Sequence, residues 1–258
     1  MSDVSGQRVP LQRVCGALDE LLKPGRFRDY APNGLQVEGR DSVGLLVTGV
    51  TASLEFIRRA AEAGADAVLV HHGWFWQNEP RVLTGPAGAR VRLLMRHDIS
   101  LLGYHLPLDA HPELGNNAQL GRVLGWRTTG PLEDGENPLG CTGELPDPLD
   151  ISALADHIAE ALGREPLVVG SGPERVRTVG WCTGAAQGWL GHAVARGCDA
   201  FLTGEISEQH YHAAHEAGIH FIAAGHHATE RYGVQAVGER LAAQLGLRHR
   251  FIEVANPV

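Results

Sequence analysis

Apolar residues recur along the chain with two different periods, and the alternation between them predicts the elements. Leu11, Val14, Leu18 and Leu21 fall at helical spacing, and Lys23-Pro24-Gly25 closes that segment. Gly44 to Val50 is a short continuous apolar run, the pattern of a buried strand. Leu54, Ile57, Ala60 and Ala61 mark a second helix that stops at Gly64, and Ala67 to Val70 form the next strand. Further strands are expected over Ile99 to Gly103, Val176 to Cys182 and Ile219 to Ala224. Ile151, Leu154, His157, Ile158 and Leu162 give another amphipathic helix. Near the end, Val234, Val237, Leu241 and Leu245 line a helix face, with Phe251 to Val254 as a closing strand. Strands alternating with helices predict an α/β fold with mixed sheets covered by helices. Pro131 to Pro138 read as an internal linker, which gives an N-terminal α/β lobe over 1–130 and a C-terminal α/β lobe over 131–258. The last helix is free to pack back on the first lobe.

The two lobes look related. Ala63-Gly64-Ala65-Asp66-Ala67-Val68-Leu69 echoes Arg196-Gly197-Cys198-Asp199-Ala200-Phe201-Leu202, each a helix end, a turn and a buried strand. The next strand of each half runs into His-x-x-x-acid, His105 to Asp109 and His226 to Glu230. The offsets of the two echoes are 133 and 121 residues, so either one unit is repeated with length changes or α/β units have converged on Gly-Asp turns. A repeat would set the two strand-end clusters facing each other across a cleft between the lobes.

Those strand ends carry the candidate chemistry. Ala67 to Val70 lead into His71-His72, Ile99 to Gly103 into Tyr104-His105 and Asp109, and Ile219 to Ala224 into His226-His227 and Glu230. Ligands of α/β proteins bind beyond the carboxyl ends of the strands. Neutral imidazoles with carboxylates suit a borderline-hard divalent metal, and this many donors could hold two ions. Adjacent strand residues point to opposite sides, so His71 and His72 could serve two ions, or one ion from a twisted turn. On a helix start, His226 and Glu230 are four apart and share a face, but His227 and Glu230, three apart, could do the same. Among the other histidines, His210 and His215 read as solvated, while His212 is placed near the cleft. No G-x-S-x-G motif occurs and no cysteine adjoins a metal-like cluster, so nothing supports a nucleophilic triad.

Composition narrows the alternatives. The 258 residues are 43% hydrophobic and 20% charged, ordinary for a soluble globular protein, and no run reaches the length of a membrane span. Residues 1–10 lack the apolar stretch of a signal peptide, and Cys15, Cys141, Cys182 and Cys198 form no C-x-x-C pair. Both features lead us to expect a cytoplasmic protein. Thirty acidic against 22 basic residues give a net charge of −8 with no basic cluster, which disfavours nucleic acid as a partner.

Five segments in order carry a family likeness: Asn33-Gly34-Leu35-Gln36-Val37-Glu38-Gly39, Val70-His71-His72-Gly73-Trp74-Phe75-Trp76, Tyr104-His105-Leu106-Pro107-Leu108-Asp109, Thr203-Gly204-Glu205 and Gly225-His226-His227-Ala228-Thr229-Glu230. With these the chain resembles the NGG-one-interacting-factor-three-like family, dinuclear-metal proteins also labelled GTP cyclohydrolase 1 type 2 homologues. The resemblance covers nearly the whole chain. It implies His71, His72, Asp109, His226 and Glu230 as metal ligands, and so selects His226 over His227. It also implies two divalent ions per subunit (zinc, iron or manganese), two α/β lobes with the metals between them, and a toroidal homohexamer.

Two classes of function follow. In the first, the protein is a two-metal hydrolase of a small anionic, nucleotide or phosphoester-like substrate, with His105 or Glu205 moving protons. In the second, it is a non-catalytic metal-handling or partner-binding oligomer. An open coordination position would favour the enzyme and closed coordination the binder.

Overall fold

The computed structural model describes residues 8–258. In chain order the elements are β1 (Val9–Pro10), α1 (Leu11–Leu22), β2 (Gly34–Val37), β3 (Ser42–Val43), β4 (Leu45–Thr51), α2 (Leu54–Glu62), β5 (Ala67–His72), α3 (Gly85–Arg96), β6 (Ser100–Gly103) and α4 (Leu106–Ala110). They continue with α5 (Asn116–Val123), β7 (Arg127–Pro131), β8 (Cys141–Leu149), α6 (Ile151–Leu162), β9 (Leu167–Gly170), β10 (Val176–Trp181), α7 (Leu190–Ala195), β11 (Ala200–Thr203), α8 (Glu208–Ala217), β12 (His220–Ala223), α9 (His226–Leu245) and β13 (Arg248–Phe251). The chain divides into two compact units. One runs up to Leu108 and takes in Val234–Ala255, and the other comprises Asp109–Gly233 with Asn256–Val258.

The first unit is built on a five-stranded sheet in the order β13-β4-β5-β6-β2, with a small β1-β3 ribbon. β13, β4, β5 and β6 are mutually parallel and β2 closes the edge antiparallel to β6. Its strands are continuous apolar runs because both faces are covered, as parallel sheets require. Val47, Val68 and Leu101 face Phe56, Ile57 and Leu94 on one side, while Leu46, Leu69 and Leu102 are buried on the other. The second unit holds a six-stranded mixed sheet, β7-β8-β10-β11-β12-β9. Strand alternation divides its core in two. Ala200, Leu202 and Ile222 pack with Leu154, Ile158 and Trp181, and Phe201 and Phe221 pack with Leu190 and Ala214. Among the described residues no helix is long and apolar enough to cross a membrane.

Several sequence expectations shift. Pro131–Pro138 is not a linker but the loop joining β7 to β8, which pair antiparallel in one sheet. The units divide after Leu108 and after Gly233 rather than after residue 130. Turn-rich composition marks a hairpin loop and a linker alike, which is why the sequence misplaces the boundary. The closing strand begins three residues early, because Arg248 to Phe251 pair with Leu45 to Thr48. Leu22 rather than Leu21 is buried on α1, and Leu54 of α2 is exposed.

The echo between the halves is structural. β4, β5 and β6 are parallel neighbours with antiparallel β2 beside β6, and β10, β11 and β12 are parallel neighbours with antiparallel β9 beside β12. Asp66 accepts from the amides of Gly44 and Leu45 through one oxygen, at 2.8 and 2.9 Å. Asp199 accepts in the same way from Arg177 and Thr178, at 2.9 and 2.8 Å. Gly64 and Gly197 supply left-handed turns two residues before each aspartate, at φ of 76° and 69°, where a side chain would be strained. The second strands are offset by 120 residues, Ser100 matching His220, not by 121. His105 therefore corresponds to Gly225, and the His-x-x-x-acid echo is one residue out of structural register.

Candidate metal centre

β5 and β6 end side by side in the first unit, the last register pair being Val70 and Gly103. His71 and His72 close β5 and His105 lies two residues beyond β6, so three imidazoles meet at one sheet end. One ring nitrogen from each lies within 4.8 Å of the others. The His71 and His72 rings are 4.5 Å apart between centroids, so simple strand alternation does not separate them. The His71 Nδ1–H donates to the Tyr104 carbonyl at 3.1 Å. A carbonyl only accepts, so this fixes the tautomer with the lone pair on Nε2. His105 is fixed likewise, with Nδ1 donating to Asp29 Oδ1 at 2.7 Å. His72 Nδ1 engages Thr51 Oγ1 at 3.2 Å.

The loop before β2 sets this geometry. Asp29 Oδ2 accepts from the Leu106 amide and from Asn33 Nδ2, both at 2.9 Å, and Asn33 Oδ1 accepts from the His105 amide at 2.7 Å. Burial alone would raise the Asp29 carboxyl, but hydrogen bonds from His105 and Asn33 outweigh it and hold the group down to about 2. Gln36 Oε1 accepts from the Trp74 amide at 2.7 Å while its Nε2 donates to the Pro32 carbonyl at 2.8 Å. A Cβ at Gly103 would stand 2.7 Å from Gln36 Nε2, so β6 must be bare there. The segment around Asn33 to Gln36 thus braces the histidines. Trp76 meets His105 edge-on at 4.9 Å.

The second unit carries the acidic donors. Helix spacing brings His226 and Glu230 together at the start of α9, with His226 Nε2 3.0 Å from Glu230 Oε2. His226 Nδ1 is 2.6 Å from Glu205 Oε1. Desolvation lowers the His226 pKa, but the hydrogen bonds and charges of Glu230 and Glu205 prevail and raise it to about 9. Two carboxylates against one imidazole make this a place that attracts positive charge. Asp109, also buried, offers an oxygen within 4.8 Å of Glu230. Its Oδ1 accepts from Asn116 Nδ2 at 2.8 Å and from Thr183 Oγ1 at 3.4 Å. Asn116 also accepts from the Gly233 amide of α9 at 3.1 Å, and Asn117 from the Thr183 amide at 3.0 Å. Gly184 has φ 69°, and a Cβ on it would lie 2.0 Å from Glu230 Oε1, so the turn after β10 closes directly over that carboxylate. The Cys182 thiol is buried, and desolvation followed by the charges of Asp109 and Glu230 push its pKa well up, away from nucleophile chemistry.

The first unit thus gathers His71, His72 and His105, and in the second Glu230 lies beside both His226 and Asp109. Glu205 sits behind His226, the outer-partner arrangement that orients a metal-bound imidazole. His226 meets Glu230 through Nε2, and the buried His227 gives its amide to the Val258 carbonyl at 3.0 Å. His210, expected in solvent, is buried: its Nδ1 accepts from the Ser207 amide at the start of α8, and its ring stacks on Phe221. His212 is exposed beside Glu208 of its own helix, at 3.8 Å. Sequence reasoning missed Asp29, Asn116, Asn117 and Thr183. No spacing rule points to them, since each reaches its partner only through tertiary contact.

Comparison with known proteins identifies the family. A profile of the Duf34/NIF3 (NGG1p interacting factor 3) family matches residues 9–257. A Pseudomonas aeruginosa protein named GTP cyclohydrolase 1 type 2 homolog is 52% identical over 251 residues, covering 96% of this chain and 99% of that one. An Escherichia coli K12 protein of the same name is 51% identical over 241 residues, covering 93% and 96%. A solved structure described as protein ybgI, unknown function, superposes with a TM-score of 0.94 at 49% identity, covering 97% of this chain and all of that one, 100%.

Proposed function

Since the chain belongs to the Duf34/NIF3 family, we propose that it holds two divalent ions through His71, His72, Asp109, His226 and Glu230 and hydrolyses a nucleotide or phosphoester-like substrate. The observation that carries this reading is the convergence of His71, His72 and His105 within 4.8 Å, with two of the three tautomers set by groups that can only accept. Imidazoles backed by a carbonyl or a carboxylate are how proteins present Nε2 to a metal. The carboxylates of the second unit supply the anionic donors that imidazoles lack. When bound, divalent ions acidify water and polarise a phosphoryl or carbonyl oxygen. The protein's own part is then positional. Glu205 holds the His226 ring, Asn116 and Thr183 hold Asp109, and His105, oriented by Asp29, takes or returns a proton at Nε2. GTP is the first substrate to test, because close relatives carry its name. The four free cysteines support a reducing compartment such as the cytoplasm.

A metal-handling protein without catalysis is the second reading, and the deep burial of His71 and Glu230 favours it. Metal analysis of protein purified without chelator, followed by a nucleotide and phosphoester panel, separates the two. We expect bound divalent metal, turnover of at least one substrate, and loss of that turnover in Asp109→Asn. The substitution keeps an oxygen to accept from Asn116, so the fold should persist while one anionic donor is lost. Metal bound and passed to a partner protein, with no turnover across the panel, would instead establish the second reading.

A further inference from the structure

The segment that leaves β5 serves more than the histidines. After His72 it runs through Trp74 and Phe75, then a strap of residues 79–84, and into α3. Together these enclose a cavity of about 280 Å³ within the first unit, lined by Trp74, Phe75, Pro80, Leu83, Pro86 and Arg90. Its walls are aromatic rings, prolines and aliphatic chains, and the Trp74 indole N–H is already spent on the Ala52 carbonyl at 2.9 Å. Phe75 is half exposed and takes φ 65°, a conformation a bulky side chain adopts only when its surroundings impose it. Arg90 is the cation in this wall, and it forms no ion pair among the described residues. Its Nε is buried with no hydrogen-bond acceptor, a costly position for a charged donor. Glu79, which also lines the cavity, instead accepts from the Trp76 amide through Oε2 at 3.2 Å.

We propose that this cavity binds a small planar carboxylate, its ring between the aromatic and proline walls and its carboxylate on the Arg90 guanidinium. An unpaired Arg fork matches a carboxylate in charge and in plane. Aromatic walls favour a flat apolar body. A doubly charged phosphate fits less well, because one arginine in an apolar wall cannot offset its desolvation. The site is separate from the metal ligands, and its occupancy does not depend on the metal reading.

Benzoate is the probe, with neutral benzamide and phenyl phosphate as comparisons, titrated into the full-length protein. Binding is read from the Arg90 Nε–H resonance in a proton–nitrogen correlation spectrum and from ligand-detected saturation transfer. We expect benzoate to move that resonance and to bind about tenfold more tightly than benzamide, the difference one charge-assisted hydrogen bond makes. Arg90→Gln should weaken benzoate by a similar factor. Ala87→Phe, which narrows the cavity and leaves Arg90 in place, should weaken benzoate and benzamide together, and circular dichroism checks that both variants fold. Equal binding of benzoate and benzamide, unchanged binding in Arg90→Gln, or preference for phenyl phosphate would overturn the proposal. So would an Arg90 resonance that ignores benzoate, including because another copy of the chain covers the cavity.

Discussion

His226 stands between Glu205 and Glu230, and those two carboxylates do different work. Glu205 reaches Nδ1 and sets the ring, whereas Glu230 reaches Nε2, the nitrogen that would face an ion. Removing Glu230 therefore deletes a donor and uncovers the imidazole, while removing His227 deletes a neighbouring side chain outside the proposed ligand set. Glu230→Ala should lose its metal almost completely, and His227→Ala should stay near the wild-type content when both are measured by elemental analysis. Groups that merely orient a ligand change affinity by roughly 10–100-fold, so a full loss in one variant and a small one in the other is the diagnostic contrast. Equal losses would mean that α9 presents a different face.

The strands that carry the ligands are pinned at their opposite ends by Asp66 and Asp199. Asp66 is buried and serves the Gly44 and Leu45 amides, with Arg8 and Arg40 at 2.9 and 2.7 Å on its other oxygen. Desolvation raises its pKa, yet the two amides and Arg8 outweigh it, and the folded value lies below the ordinary one. A carboxyl depressed by folding contributes stability above its unfolded pKa and loses it as the pH falls through the folded value. Asp66→Asn should cost about 1.5–3 kcal/mol at neutral pH, the range for hydrogen bonds to a charged group. The gap from wild type should begin to narrow below about pH 4, where the unfolded chain's carboxyl protonates, and close as the pH falls through the lower folded value. Urea unfolding across pH tests this, and a gap that ignores acid would refute it. The Gly-Asp turn that marks these elements was legible in the sequence, as were most strands and helices, because burial leaves a periodic trace. By apolar period α9 was legible only over its second half, its start being marked instead by the spacing of His226 and Glu230. Its first turns carry His226 to Gly233, which follow no apolar period because His226, Thr229 and Glu230 make polar contacts there and Gly233 lies against Asn116. Asp29 was invisible for a related reason: it lies in an aperiodic loop and acts on a histidine 76 residues away.

At the scale of the whole molecule, the resemblance implies a closed hexameric ring, and the expected outcome is light scattering at six times the monomer mass at micromolar concentration. A monomer, or a dimer that persists on concentration, would reject it. The net charge of −8 leads us to expect little salt-resistant affinity for DNA in the same preparation. The doubled scaffold has its own consequence for how such a site can change over generations. Two identical chains meeting about an axis must mirror every substitution, so their ligands come in matched pairs. Here one chain carries both copies, and the tips have already diverged, His71-His72 where the other copy has Gly204-Glu205. Each tip can be inherited, altered and selected alone, so neutral donors can accumulate on one copy and anionic ones on the other without either frame being rebuilt.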